Sequence, residues 1–275
     1  SSAASDVYKR QILYMKISII TVTFNSEKTL RYTIESVLNQ NYDDIEYLII
    51  DGGSTDSTLD IIKCYEPKFE GKLHYISEPD KGIYDAMNKG ILMATGNVVG
   101  FLNSDDLFID KKVAEDIVSA FDTNTDAIYA NLYFVQSTDV NQIVRIWKGS
   151  PYVSFKYGWC PAHPTFYVRR EIYQQYGGFD LSFDVSADFE LMLRLIEKVH
   201  IRTKYLDRYM IRMRMGGEST GNIKNILKGN KNIYKAFCKH GLSVSIFYPV
   251  YRLLPKAIDL IKCKLGLNNW ESNKK

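Results

Sequence analysis

From Lys16 onward, two patterns of apolar residues alternate along the chain. Short runs of β-branched and aliphatic residues read as strands, and longer stretches with an apolar residue every three or four positions read as helices. Lys16–Phe24 is a strand, followed by a helix with Leu30, Ile34, Val37 and Leu38 on one face and Asn25-Ser26 placed to cap it. Strand Ile45–Ile50 leads into a helix carrying Leu59, Ile61 and Ile62. A short strand, Leu73–Ser77, precedes a helix over Ile83–Met93 that stops before Gly96. Then come a strand over Val98–Leu102, a helix over Lys111–Phe121 and a strand over Ala127–Asn131. This rhythm predicts an α/β domain, Rossmann-like, with a mostly parallel central sheet and helices on both faces. The second half is less regular. Tyr133–Gln136 and Ile143–Trp147 read as a hairpin, Thr165–Arg169 as a strand, Glu171–Tyr176 as a short helix closed by Gly177-Gly178, and Ala187–Lys198 as a helix with Leu191, Leu195 and Ile196 on its apolar side.

Chemistry is concentrated where strands end. Asn103-Ser104-Asp105-Asp106 closes the run Val98-Val99-Gly100-Phe101-Leu102. Adjacent carboxylates at the end of a buried strand need a cation or a dense hydrogen-bond network. A second acidic turn, Asp51-Gly52-Gly53-Ser54-Thr55-Asp56, closes the run Tyr47–Ile50, and ligands of open α/β sheets bind at strand ends. Asp, Asn, Gly and Ser are also ordinary turn formers, and Asp56 is placed to cap a helix starting near Thr58. The coincidence of both turns points to one site. No G-x-G-x-x-G follows the first strand and no P-loop occurs, which weighs against dinucleotide oxidoreductases and NTPases.

With 275 residues, 45% hydrophobic and 24% charged, the chain can bury a full core. The four cysteines, Cys64, Cys160, Cys238 and Cys263, are scattered with no C-x-x-C pair, which argues against a zinc knuckle, a redox motif or a disulfide framework and fits a reducing cytoplasm. Charge is divided: Met15 to Gly221 carries 22 Lys and Arg against 29 Asp and Glu, and Asn222 to Lys275 carries 11 against 2, a net +9. Within that tail, Leu242–Leu267 interleaves aromatic and aliphatic residues with Arg252, Lys256, Lys262 and Lys264. Two readings stand for it: a basic amphipathic segment on anionic lipid, or a helix covering the domain's own core. Residues 1–14 resemble neither a signal peptide nor a periodic element and read as a non-native or disordered extension. The expected division is therefore 1–14, a catalytic domain over 15–221 and a basic helical segment over 222–275.

Five motifs, Thr21-Val22-Thr23-Phe24-Asn25, Asp51-Gly52-Gly53-Ser54-Thr55-Asp56, Phe101-Leu102-Asn103-Ser104-Asp105-Asp106, Gly177-Gly178-Phe179-Asp180 and Ala187-Asp188-Phe189-Glu190-Leu191, resemble in order and spacing the family-2 glycosyltransferases of the GT-A fold. The segment from Glu78-Pro79-Asp80-Lys81-Gly82 to Asn88-Lys89-Gly90 is similar to the branch that builds bacterial O-antigens and capsules.

The resemblance implies a role for each matching position. Thr23, Asn25 and Asp51 would hold the base and ribose of a nucleotide sugar, with Asp80, Asn103, Ser104 and Asp105 also on the donor side. Asp105 and Asp106 would position Mg2+ or Mn2+, hard cations suited to oxygen ligands. Asp188 would be the catalytic base, accepting the acceptor hydroxyl's proton in an inverting displacement. Lys81, Asn88, Lys89, His163, Arg212 and Arg214 would face the diphosphate or the acceptor, the two arginines as a lid. Four positions depart from the family pattern: Asn103 and Gly52 stand where an Asp is usual, Met87 where an Arg is common, and Ala187 where a Glu often precedes the base.

The expectation is a metal-dependent, inverting transferase moving a hexose or N-acetylhexosamine, UDP-linked, to a lipid-linked oligosaccharide acceptor at the cytoplasmic face of the bacterial plasma membrane. An anionic membrane surface would be its partner through the tail, and no nucleic acid is expected. The alternatives are a sugar-nucleotide nucleotidyltransferase, disfavoured because no Gly-rich basic loop follows the first strand, and a non-catalytic carbohydrate-binding relative, disfavoured by Asp188 beside Asp105 and Asp106. A glycoside hydrolase could use two carboxylates but needs no nucleotide turn.

Overall fold

A computed structural model describes residues 15–216 and 223–249. Strands β1 (Ile17–Thr23), β2 (Ile45–Asp51), β3 (Leu73–Ser77) and β4 (Val98–Phe101) form one half of the sheet. β5 (Leu107–Phe108), β6 (Ala127–Val135), β7 (Ile143–Trp147), β8 (Tyr167–Arg169) and β9 (Thr203–Arg214) form the other. The order is β3-β2-β1-β4-β8-β6-β9-β5, with β7 beside β6. The β3-β2-β1-β4 half is parallel throughout. Beyond it β8 runs antiparallel to both β4 and β6, and β9 is parallel to β6 but antiparallel to β5. The parallel order expected from the strand–helix alternation thus holds for the first half, and the sheet as a whole is mixed.

β1 and β2 are buried on both faces, as parallel strands covered by helices must be. Alternate side chains feed separate cores. Ile17, Ile19, Tyr47 and Ile49 pack with helices α1 (Leu30–Leu38), α2 (Thr58–Tyr65) and α4 (Val113–Ala120). Ile20, Val22, Leu48 and Ile50 pack with α3 (Ile83–Met93), α5 (Arg170–Tyr176), α6 (Ala187–Met192) and α7 (Ile223–Lys239). A π-helical segment, Leu193–Lys198, continues α6.

Three local expectations change. β6 runs unbroken through Tyr133, so the first arm of the hairpin is the end of a longer strand. β9 was not legible, because its mix of Arg, Asp and Tyr with Met and Ile lacks clean alternation and the strand is only half-buried. Asn25 and Ser26 do not cap α1, which starts at Leu30 without a side-chain cap; Asn25 instead takes a left-handed φ of 49° and its side chain crosses to the β2 turn.

The start of the basic segment belongs to the domain's core. Ile233, Ala236 and Phe237 of α7 are buried, and so is Tyr248 beyond it. Lys228 and Lys239 pair with Asp184 and Asp180. A chain ending at Gly221 would leave this apolar face open. Among the described residues no helix is long and apolar enough to cross a membrane. The extension over 1–14, Gly217-Glu218-Ser219 beyond the expected lid, and the amphipathic segment from residue 250 onward lie outside the described residues.

Candidate active site

The C-terminal ends of β1, β2, β3 and β4 meet at one edge and carry the residues expected on the donor side. Asp51, wholly buried at the end of β2, accepts from the Ser54 backbone N–H at 3.0 Å, from the Ser54 hydroxyl at 2.5 Å and from the Ser77 hydroxyl at 2.6 Å. Three of its roughly four lone-pair positions are thereby filled. Asp51 is first a fixed anchor of the turn, and at most one acceptor position remains for a ligand. Asn25 likewise works inside the protein: its carbonyl oxygen accepts from the Thr55 N–H at 2.9 Å, and its own N–H donates to Ser54 at 2.8 Å. Asp56 caps α2 by accepting from the Thr58 N–H at 3.0 Å, the turn role that its position suggested.

The absence of a side chain at Gly52 has a physical counterpart. A Cβ there would stand 2.6 Å from Asp80 Oδ2 and 3.4 Å from the Phe24 ring. Asp80 therefore brings its carboxylate to the place that an acidic side chain at position 52 would need. Its other oxygen is held by the Gly82 N–H at 2.8 Å. Phe24, beside it, is 62% exposed, a large bare ring at a strand end. Sequence reading quoted Phe24 only within a motif; an aromatic residue directly after a buried strand was the available signal.

At the end of β4 the acidic turn is braced from three sides. Thr33 donates to the Asp106 carbonyl at 2.8 Å, Ser26 and Ser104 share a hydroxyl contact at 2.9 Å, and Arg214 Nε donates to the Asp105 carbonyl at 3.0 Å. Arg214 is itself buried; its guanidinium also bonds the Ser137 carbonyl and lies 5.5 Å from the Tyr32 ring. Arg214 is thus a brace beneath the turn rather than part of a lid, and Arg212 reaches Asn141 at 3.2 Å.

The carboxylates themselves are poorly satisfied. Asp106 is 1% exposed, and among the described residues its Oδ2 receives Asn103 Nδ2 at 3.3 Å. Its Oδ1, together with Asn103 Oδ1 and Thr23 Oγ1, is buried without a hydrogen-bond partner among the described residues. Burial, reinforced by the charge of Asp105, pushes Asp106 well above the usual carboxylate range; burial raises Asp105 too, against the opposing charge of Arg214. Orphaned, desolvated oxygens of this kind suit a hard divalent cation. Among the described residues no cluster of three or more His, Cys, Asp or Glu could hold an ion.

The acceptor side adjoins this edge through Phe101. His163 lies against Phe101 with ring centroids 6.2 Å apart, and Phe179 meets Phe101 edge-on at 5.3 Å. Burial lowers the His163 pKa, partly offset by the negative charge of Asp188, so the ring is neutral at pH 7. Asp188 sits in the first turn of α6, after Ser186 with a left-handed φ of 69°. Tyr84 of α3 donates to Asp188 Oδ1 at 3.1 Å.

Asn88 has a different task from the ligand contact expected of it. Its amide donates to the Phe179 carbonyl and accepts from the Phe179 N–H, both at 2.8 Å, clamping α3 to the Gly177-Gly178 turn. Gly178 is required there, since a Cβ would stand 2.3 Å from Asn88 Oδ1. Lys89 is tied to Glu78 at 2.8 Å and to the Pro79 carbonyl at 3.1 Å, whereas Lys81 stands exposed.

The sheet thus carries acids at the ends of β2 and β4, and a further carboxylate, Asp188, lies beyond the ring cluster of Phe101, His163 and Phe179. The chain belongs to glycosyl transferase family 2: the family's profile matches residues 18–192. It is 29% identical over 194 residues to a PGL/p-HBAD biosynthesis glycosyltransferase of Mycobacterium bovis (strain BCG / Pasteur 1173P2), covering 69% of this chain and 73% of that one. Its fold matches S. aureus TarS 1-349 in complex with UDP-GlcNAc at TM-score 0.63 and 19% identity, over 95% of this chain and 76% of that one. A mannosyltransferase from Pyrobaculum calidifontis, in complex with GDP-Man and Mn2+, matches at TM-score 0.63 and 17% identity, over 100% and 84%. The GT-A architecture and glycosyltransferase activity expected from the motifs are therefore established.

Proposed function

We propose that the chain is an inverting, metal-dependent glycosyltransferase that moves a hexose or N-acetylhexosamine from a UDP-linked donor to a lipid-linked oligosaccharide in surface polysaccharide synthesis. The observation that carries this reading is the pairing of under-satisfied carboxylates at the β4 end with a separate carboxylate, Asp188, on the acceptor side. Phe24 offers the base a stacking face, and Asp80 with the remaining lone pair of Asp51 offers acceptors for the N–H and hydroxyl groups of a uridine. Asp105 and Asp106 would hold Mg2+ or Mn2+, which would neutralise charge on the departing diphosphate. Lys81, exposed beside Asp80, is the basic side chain that would serve that role, since Lys89 is paired with Glu78.

Asp188 Oδ2 takes the proton of the acceptor hydroxyl as its oxygen bonds to the anomeric carbon and the bond to the diphosphate oxygen breaks. One carboxylate suffices for a single displacement. Of the nearby acids, Glu190 holds Arg194 and His240 through Oε1, with Oε2 buried and without a partner among the described residues, and Asp184 is paired with Lys228 and Asn232. The net +9 over residues 222–275, with Ile246 80% and Phe247 62% exposed where the described chain ends, supports docking on the anionic inner face of the plasma membrane.

A panel of UDP-, GDP- and dTDP-sugars, assayed for nucleotide release with Mn2+, with Mg2+ and with chelator, tests the reading. Release from a UDP-sugar only with metal is expected. Metal-independent release, or release from a GDP- or dTDP-sugar alone, would overturn it.

A further inference from the structure

Asp188 lies in the first turn of α6, and a catalytic base there needs its carboxylate held in one orientation. The backbone before it is well held. Asn232 of α7 donates to the Val185 carbonyl at 2.7 Å, and a Cβ on Gly229 would stand 3.3 Å from Ser186 Oγ, so α7 lies close against the left-handed turn. None of these contacts reaches the carboxylate.

One contact does. From α3, the Tyr84 hydroxyl donates to Asp188 Oδ1 at 3.1 Å. The Tyr84 ring stacks on Phe179 with centroids 5.4 Å apart, and Phe179 is fixed in turn by the two-way clamp of Asn88. Burial, with the adjacent charge of Asp188, pushes the phenol far above its usual range, so the hydroxyl keeps its proton and remains a donor at any working pH. We propose that Tyr84 is a positioning residue: its hydroxyl occupies Asp188 Oδ1 and aims Oδ2 at the acceptor hydroxyl. This inference rests on the reading of Asp188 as the base.

Titratable groups face Asp188 from two elements, Tyr84 on α3 and His163 on the turn His163–Thr165. On α7, Lys228 pairs with Asp184, Lys235 with the Ser182 carbonyl and Lys239 with Asp180, and His240 just beyond it contacts Glu190. On α6 itself Glu190 bonds Arg194, whose guanidinium also reaches the Tyr176 and Gly178 carbonyls.

The test compares Tyr84→Phe, Asp188→Asn and the double variant in the full chain, with kcat and donor KM measured separately. Phe keeps the ring stacked on Phe179. Loss of the bond should lower kcat roughly 10-fold with donor KM unchanged. Because Tyr84 acts through Asp188, the double variant should be no slower than Asp188→Asn alone. An unchanged kcat in Tyr84→Phe, or additive losses in the double variant, would overturn the inference while leaving the base assignment standing. Near wild-type turnover in Asp188→Asn would instead remove the base assignment, and the inference with it. Should Tyr84→Phe melt early, the comparison of the double variant with Asp188→Asn, made at a temperature where all three are folded, still decides.

Discussion

The two edges of the same sheet each bury carboxylates, and they treat them in opposite ways. At the N-terminal edge Glu46, almost wholly buried, accepts from Ser18 at 2.5 Å, from the Thr95 N–H at 2.8 Å, from the Thr95 hydroxyl at 2.5 Å and from Lys16 at 3.1 Å. Burial alone would raise Glu46, but these bonds outweigh it and pull the carboxyl down from 4.5 to about 2. At the C-terminal edge Asp106, equally buried, has one long contact and an orphaned oxygen, and its pKa moves up. A fully bonded buried carboxylate stabilises the fold, whereas a half-bonded one costs stability and keeps its affinity for something not yet bound. Burial is common to both carboxylates; what separates them is how far each is satisfied.

Substitutions at the two edges should therefore separate stability from activity. The largest effect is expected on the acceptor flank of the C-terminal edge, where Asp188→Asn should slow turnover by roughly 10²–10⁴ with donor affinity and thermal midpoint little changed. Steady-state kinetics beside a thermal melt would show it, and a matching loss of stability would erase the contrast.

At the opposite edge Glu46→Gln should lower unfolding free energy by about 2–3 kcal/mol in urea at pH 7 while leaving kcat intact in the folded fraction. The sign of the pH dependence follows from the depressed carboxyl. The stabilisation from Glu46 is complete above its unfolded value of 4.5 and is lost as pH falls from there toward about 2. The wild-type protein should thus lose more stability than Glu46→Gln across that window, and parallel pH profiles would show that the cluster contributes nothing.

Asp105→Ala should weaken Mn2+-dependent UDP binding by roughly 10-fold or more in calorimetry with the fold intact. Equal UDP affinity with and without Mn2+ in the wild type would place the metal elsewhere. The smallest effect is expected from Asp106→Asn, which removes a desolvated charge. Without metal the variant should match or exceed wild-type stability, by up to about 1 kcal/mol at pH 7, while losing the thermal shift that Mn2+ gives the wild type. A clear destabilisation would mean that Asp106, like Glu46, is a structural acid.

Much of the donor edge was legible because local rules act there without competition. Apolar runs ending in acidic turns announce strands and their mouths, and Asp51, Asp105 and Asp106 all lie where those runs stop. What side chains do within the site was less legible. Asn25, Asn88 and Arg214 belong to motifs, yet each bonds backbone or turn groups of the protein itself. Their partners lie between 30 and 109 positions away, distances over which sequence spacing carries no geometric information. Glu46 escaped notice for the same reason, since a lone Glu in a strand reads as a solvent-facing position until Ser18 and Thr95 converge on it.

The sequence by itself determined the strand–helix alternation, the acidic strand ends and the family, because periodicity and short motifs are local properties that survive without knowledge of contacts. Only the tertiary structure decided that Asp80 fills the space opened by Gly52, that Arg214 lies under the acidic turn and that the basic segment begins as a core helix. It also paired Tyr84 with Asp188 across 104 positions. Those outcomes depend on which desolvated polar groups find partners when the two cores close. That matching is a property of the packed molecule as a whole.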